Sequence, residues 1–261
     1  MVRVQIVSDL HIEYKNDNIP DTDSIIEPNA DILILAGDIG SLYKAEQLYG
    51  FLENICKKFN VPTADFDIFE NIEDAKKFLE NVHYPIVIKA DNLAAGKGVF
   101  ISKNISEANT AIDEIFNGKF GEAKEILIEE YISGRELTVS TIKLDKKIHA
   151  LAVTEIKSKN NFFDYKAKYS KGYAKHILPA KLNKINYAKC LKFATKAHKL
   201  LGCNSLARTD FIFDTKKNKI FFLETNTQPG LTPISLLPEQ ANYKGLSFSE
   251  IIFILIKNLN Y

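Results

Sequence analysis

Two short phrases, Ala207-Arg208-Thr209-Asp210-Phe211 and Leu223-Glu224-Thr225-Asn226-Thr227-Gln228-Pro229-Gly230, decide how this chain is read. The first sits in a β-rich run over 206–213, and the second ends another over 220–224. Between them, Asp214-Thr215-Lys216-Lys217-Asn218 has the composition of a turn. Strand side chains alternate between faces, so Arg208 and Asp210 share one face, and Glu224 and Asn226 likewise. If the two strands pair, Asp210, Glu224 and Asn226 converge. Two carboxylates and an amide oxygen make an all-oxygen donor set suited to Mg²⁺, with Mn²⁺ as a substitute, and leave positions for phosphate and water. Arg208 beside them would stabilise a developing oxyanion. A surface hairpin with alternating charges carries the same pattern, so the pair needs company to mean more.

The rest of the chain supplies an α/β frame. Residues 1–59 read as strand (2–7), long polar loop (15–29), strand (31–36) and helix (43–59), a short α/β segment. Residues 60–134 form a second unit. It has a helix over 73–82, strands over 85–90 and 99–102, a helix over 106–116 with Ser106 as N-cap, and a strand over 125–129. Residues 135–261 form the third. They add strands over 137–144 and 149–156, the hairpin strands above, and helices over 186–201 and 248–259.

Composition narrows the function classes. In 261 residues, 34 basic and 33 acidic side chains leave a net charge of +1, so no global field favours nucleic acid or an anionic membrane. Cys56, Cys190 and Cys203 are too few and too scattered for a disulfide framework or a zinc cluster. The first residues lack a signal-peptide apolar stretch, and the apolar run over 251–256 is far shorter than the roughly 20 residues of a membrane span. A cytoplasmic protein is expected.

An enzyme that uses a phosphoanhydride holds a polyanion with divalent cations, lysines and backbone N–H groups. Lys89 ends a strand that runs into Asp91-Asn92-Leu93-Ala94-Ala95-Gly96-Lys97-Gly98, whose small residues allow close backbone approach to phosphate. The loop lacks the Ser or Thr of a Walker A motif. The strand Ile126-Leu127-Ile128-Glu129 runs into Glu130-Tyr131-Ile132, where exposed backbone suits an adenine edge and Glu136 a ribose. The stretch over 162–172, polar and aromatic with Lys168 and Tyr169, has the make-up of a loop that covers a site.

From about residue 128 onward the chain resembles D-alanine–D-alanine ligases, enzymes of the ATP-grasp fold. The matching phrases are Glu129-Glu130-Tyr131-Ile132-Ser133-Gly134-Arg135-Glu136, Phe163-Asp164-Tyr165-Lys166-Ala167-Lys168-Tyr169, the Arg208–Asp210 phrase, and Leu223 through Leu236. The resemblance implies an α/β ATP-grasp architecture with the nucleotide between two lobes. It places Lys89, Ala95, Gly96, Lys97 and Gly98 near ATP phosphates, Glu129, Tyr131 and Ile132 at adenine, and Glu136 on ribose. Lys168 would reach the γ-phosphate and Tyr169 would cover the substrates. Asp210, Glu224 and Asn226 would hold two Mg²⁺ ions, Arg208 and the Gly230 N–H would form an oxyanion hole, and Ser235 and Leu236 would bind the second D-alanine. A homodimer built through an N-terminal domain is part of the same family picture, but residues 1–59 do not resemble that domain.

Two other resemblances divide the remainder. Asn60-Val61-Pro62-Thr63-Ala64, residues 85–99 and Lys119-Phe120-Gly121-Glu122-Ala123 look like phosphoribosylamine–glycine ligase, also ATP-grasp. Ser8-Asp9-Leu10-His11 and Ala36-Gly37-Asp38 resemble the start of a calcineurin-like metallophosphoesterase, with Asp9, His11 and Asp38 as its metal ligands. The Asn-His pair and later histidines that complete such a site do not follow. Three function classes remain: a D-alanine ligase, an ATP- and Mg²⁺-binding protein without ligase activity, and a different carboxylate–amine ligase.

Overall fold

A computed structural model describes residues 62–90, 98–121, 123, 125–158 and 174–258, together with two strands nearer the N-terminus. Those strands, β1 (Val4–Ser8) and β2 (Ile32–Ala36), pair in parallel with Val4 opposite Ile32. The helix expected over 43–59 lies outside the described residues, as do Asp9, His11 and Asp38.

The next unit is a four-stranded antiparallel sheet. Its strands are β3 (Phe66–Phe69), β4 (Ile86–Ala90), β5 (Val99–Ser102) and β6 (Ile126–Glu130), in the order β3-β6-β4-β5. Helices α1 (Ile72–Phe78) and α2 (Ile105–Phe116) cover one face. Period-two alternation divides β4 between two surfaces. Ile86, Ile88 and Ala90 enter the core with Ala108, Ile112, Ile115, Ile126 and Ile128. Val87 and Lys89, opposite Glu129 and Leu127, face the other way. Each large aliphatic side chain so buried stabilises the layer by about 1.5–3 kcal/mol relative to exposure.

The larger sheet has five antiparallel strands in the order β11-β10-β7-β8-β9. These are β7 (Arg135–Leu144), β8 (Lys147–Ser158), β9 (Ala174–Ile177), β10 (Leu206–Asp214) and β11 (Lys219–Asn226). Helix α3 (Lys184–Leu200) packs Cys190, Ala194 and Ala197 on one face, against Leu137, Val139, Val153, Phe211, Phe213 and Phe222. Helices α4 (Leu236–Tyr243) and α5 (Phe248–Lys257) close the opposite face through Leu237, Ala241, Ile251 and Ile254 on Ile142, Leu151 and Leu206. A capping box between Ser247 and Glu250 starts α5.

The two sheets meet at a short connector. Phe222 N–H donates to Pro62 O at 2.7 Å, and Thr63 forms a bridge with Phe222. Ala64, Ile132, Ile212 and Phe221 make a small apolar cluster there. Between β6 and β7, Gly134 runs against β10: a Cβ would lie 2.5 Å from Phe213 O and 2.6 Å from Ile212 Cγ2. Any larger residue would push the connector off the sheet.

Most expected elements stand, with corrections at their ends. Helix α2 is capped by Asn104, not Ser106: Asn104 Oδ1 accepts from Glu107 N–H at 3.0 Å. The helix expected over 73–82 begins at Ile72 and tightens after Phe78 into a 3-10 turn, Leu79–Asn81. Strand β11 runs to Asn226, two residues beyond the expected 224, because its ladder with β10 continues as far as Arg208. The composition did not single out β3, β9 or α4. β3 and β9 are four residues long, and α4 carries Pro238 in its first turn, where a helix tolerates it.

Candidate active site

The hairpin phrases meet as the alternation requires. Strands β10 and β11 are antiparallel, with Arg208 opposite Asn226 and Asp210 opposite Glu224. A register shift follows between Asp210 and Phe211. That bulge lets the site residues face outward while Phe211 and Phe222 meet edge-on in the core, ring centroids 6.2 Å apart. The turn is held by Asp214, whose Oδ1 accepts from Lys216 N–H at 2.8 Å and Lys217 N–H at 2.9 Å. Those bonds, first the one from Lys217, hold the Asp214 carboxyl below the usual carboxylate range.

Asp210 is the most constrained acid of the set. Arg208 Nη2 lies 2.9 Å from its Oδ2, and Arg208 Nε lies 3.1 Å from its Oδ1. Thr138 Oγ1, on the neighbouring strand, also donates to Oδ1. Glu224 is far more open, its side chain 58% exposed against 16% for Asp210, and its Oε1 lies 4.0 Å from Arg208 Nη2. Asn226 Oδ1 accepts from Gln228 N–H at 2.9 Å, which turns the chain toward Gly230.

This donor set fits Mg²⁺. An ionised carboxylate has about four lone-pair sites over two oxygens, so the bonds to Asp210 leave acceptor capacity. Among the described residues no group of three or more His, Cys, Asp and Glu side chains forms a cage. Mg²⁺ shared with a nucleotide needs only one or two protein carboxylates beside phosphate and water.

Past the hairpin, the chain folds back on itself. Ser235 is the N-cap of α4, and its Oγ lies 2.8 Å from Thr232 Oγ1. A Cβ at Gly230 would sit 2.9 Å from Ser235 Oγ, so glycine is what lets the two approach. Leu236, at the first turn of α4, is buried. The orphan N–H groups of a helix start attract a carboxylate.

On the small sheet, Lys89 Nζ forms an ion pair with Glu129, which lies diagonally across the β4–β6 ladder. Val87 and Leu127, both buried, share that face. Tyr131 and Ile132 follow on the connector, with Ile132 in the apolar cluster between the sheets. Glu136 is the second residue of β7, opposite Ile212, two residues from Thr138 and on the same face by alternation. Gly98 adopts φ 68°, and its carbonyl accepts from Ala90 N–H at 3.0 Å, which closes the neck of the β4–β5 loop. Ala95, Gly96, Lys97, Lys168 and Tyr169 lie outside the described residues.

Some contributors carry no motif of their own. Thr138 behind Asp210, and Val87 and Leu127 beside Lys89, are ordinary strand residues in one dimension. Arg135 forks Glu155 at 3.0 and 2.7 Å and also reaches Lys181 O at 2.9 Å, which ties β7 to β8 and to the segment before α3. Strand pairing alone could have flagged them.

Comparison with known proteins gives this geometry a family. The model described as "D-ala D-ala ligase C-terminus" matches residues 55–257, and so runs through the central stretch as well. A D-alanine–D-alanine ligase from Erythrobacter litoralis (strain HTCC2594) is 40% identical over 175 residues, 66% of this chain and 53% of that protein. One from Wolbachia pipientis wMel is 35% identical over 207 residues, 79% of this chain and 63% of that one. The chain therefore spans about half to under two thirds of the curated relatives it matches. Among solved structures, the VanG D-Ala:D-Ser ligase from Enterococcus faecalis aligns with a TM-score of 0.67 at 28% identity, over 78% of this chain and 59% of that one. A D-alanine–D-alanine ligase from Bacillus anthracis, solved with ATP, aligns with a TM-score of 0.62 at 26% identity, over 79% and 64%. The chain belongs to the D-alanine–D-alanine ligase C-terminal family and has its ATP-grasp fold.

Proposed function

We propose that this chain joins two D-alanines at the expense of ATP, and that the paired strands β10 and β11 carry the chemistry. The observation that supports this most is the register itself. It sets Arg208 and Asp210 against Asn226 and Glu224, in a chain that leads at once to Gly230 and Ser235.

In this reading residues 60–134 and 135–261 are the two lobes of the grasp, with 1–59 a separate α/β segment. Lys89 draws the nucleotide phosphates, assisted by the loop residues Ala95, Gly96, Lys97 and Gly98. Glu129, Tyr131 and Ile132 hold adenine, and Glu136 takes the ribose. The carboxylate of the first D-alanine attacks the γ-phosphorus, the bond to ADP breaks, and an acyl phosphate forms. Lys168 steadies the γ-phosphoryl group and Tyr169 shields the reactants. Asp210, Glu224 and Asn226 would hold Mg²⁺, which when bound offsets charge on the phosphates. The amine of the second D-alanine then attacks the acyl carbon. Arg208 and the Gly230 N–H face the oxygen that becomes negative. Inorganic phosphate departs, the ammonium proton goes to solvent, and the peptide bond remains. Ser235 and Leu236, at the start of α4, receive the carboxylate of that second amino acid. The product is a dipeptide for cell-wall precursor synthesis, made in the cytoplasm. No described helix is long and apolar enough to cross a membrane.

Phosphate release from ATP and Mg²⁺ tests this reading, with D-alanine, L-alanine, or glycine plus phosphoribosylamine supplied in turn. Release with D-alanine alone supports it. Nucleotide binding with no release would favour a binding protein lacking the first-substrate pocket. That second reading has its own support, since residues 1–54 fall outside the family match.

A further inference from the structure

Helix α4 is fastened to the sheet by one wholly buried amide, Gln240. Its Oε1 accepts from Ser140 N–H at 2.8 Å. Its Nε2 donates to Thr138 O at 3.2 Å and to Thr154 Oγ1 at 3.0 Å. Ser140 is the residue that the β7–β8 bulge, between Val139 and Thr141, leaves without a partner on β8. Its N–H needs an acceptor, because an unpaired buried backbone group costs about as much as a lost hydrogen bond.

The residues that Gln240 holds matter as much as the bonds. In the β7–β10 ladder, Ser140 is registered opposite Arg208 and Thr138 opposite Asp210. Thr138 also donates its own hydroxyl to Asp210. One side chain on α4 therefore grips the two β7 residues that stand directly behind Arg208 and Asp210. The start of the same helix, four to five residues earlier, is Ser235 and Leu236. The neighbouring Glu239 ties α4 to β9 as well, with His176 Nδ1 2.8 Å from its Oε2.

We propose that Gln240 is a positioning residue that sets the acceptor end of the site, at Ser235 and Leu236, against the Arg208–Asp210 end. This rests on the ligase reading above for the roles of those two ends. Gln240 touches no substrate. It acts by holding α4 at a fixed height over β7 where β8 bulges away from it, so its loss loosens the acceptor subsite and leaves the nucleotide side, on β4 and β6, in place.

Gln240→Met keeps the side-chain length and removes every hydrogen bond. Ile254→Ala, in the apolar layer under α4 and α5, is the control for general loosening. Amide hydrogen exchange by mass spectrometry is measured first. In Gln240→Met, exchange is expected to rise over residues 231–243 and to stay unchanged over α3. Steady-state kinetics follow. KM for the acceptor D-alanine should rise roughly tenfold while KM for ATP stays within about twofold, a split that Ile254→Ala does not produce. Unchanged exchange over 231–243 would overturn the proposal, as would a parallel rise of both KM values. If the unaltered chain releases no phosphate with any amino acid, the ligase reading falls. The exchange result then decides the fastening alone: a rise confined to 231–243 supports it, and no rise overturns it.

Discussion

On the small sheet, Lys89 and Glu129 stand on one face of strands whose other face buries hydrocarbon, Ile86, Ile88, Ile126 and Ile128 against α2. On the large sheet, Arg208 and Asp210 stand in front of a layer laced with Thr138, Ser140, Thr154 and Gln240. Among the described residues, ten buried polar or charged side chains lie in the large lobe, from Thr138 to Gln240, and Ser102 alone lies in the small one. Apolar packing is non-directional, which suffices for the part that the proposed reading gives the small sheet, holding a nucleotide. Fixing two carboxylates and a guanidinium to within tenths of an ångström takes directional bonds, each of which must be satisfied once buried. One lobe is built to hold and the other to aim.

The sharpest way to break this contrast is at Asp210. Asp210→Asn keeps the shape and removes the charge that pairs with Arg208. Phosphate release should fall by roughly 10²–10³-fold, as for loss of one electrostatic group in a preorganised site. Circular dichroism should remain that of the folded chain. A variant that turns over normally would remove the metal-binding role from Asp210.

A core substitution comes next. Ile88→Ala should cost about 2–5 kcal/mol of unfolding free energy, since Ile88 is wholly buried in the small lobe. If the small lobe grips through packing alone, nucleotide affinity should fall with it. Urea titration and nucleotide binding on the same sample check both.

Acid should act on the large lobe. His198 is wholly buried on α3, with Nδ1 2.8 Å from Thr141 Oγ1. Burial pushes its pKa from 6.5 down to about 4. The unfolded chain takes up the proton at higher pH than the folded one, so stability is unaffected above pH 6.5 and declines as pH falls from there toward 4. At pH 5 the loss should be about 2 kcal/mol. His198→Leu should flatten that part of the thermal-unfolding profile; an unchanged slope would point to other groups.

The smallest effect is expected on the small lobe's charge pair. Lys89→Met should weaken ATP binding about tenfold, equivalent to about 1.4 kcal/mol, and reduce its salt dependence. Equal affinity in fluorescence titrations of the two proteins would move the phosphate contact elsewhere.

The Arg208–Asp210 and Glu224–Asn226 pairs were legible because a strand's period of two is a local property, set by backbone geometry within each segment. So was the turn at Asp214, where the side chain bonds to N–H groups two and three residues on. Helix ends were less secure. Asn104 and Ser106 are both cap formers two residues apart, and the choice between them depends on which backbone N–H the fold leaves open. The short β3 and β9 have too few residues for a period to register.

Amino-acid order alone determined which side chains share a strand face, where the hairpin turns, and the residue types from which a phosphate-handling site is made. Tertiary structure alone decided that Asp210 lies opposite Glu224, that Thr138 backs Asp210, and that Gln240 reaches across about a hundred residues of chain to the bulge at Ser140. The division has a physical cause. Local patterns follow from steric limits on neighbouring residues. Register, bulges and buried polar partners are set by the packing of segments far apart in sequence, which no single segment encodes.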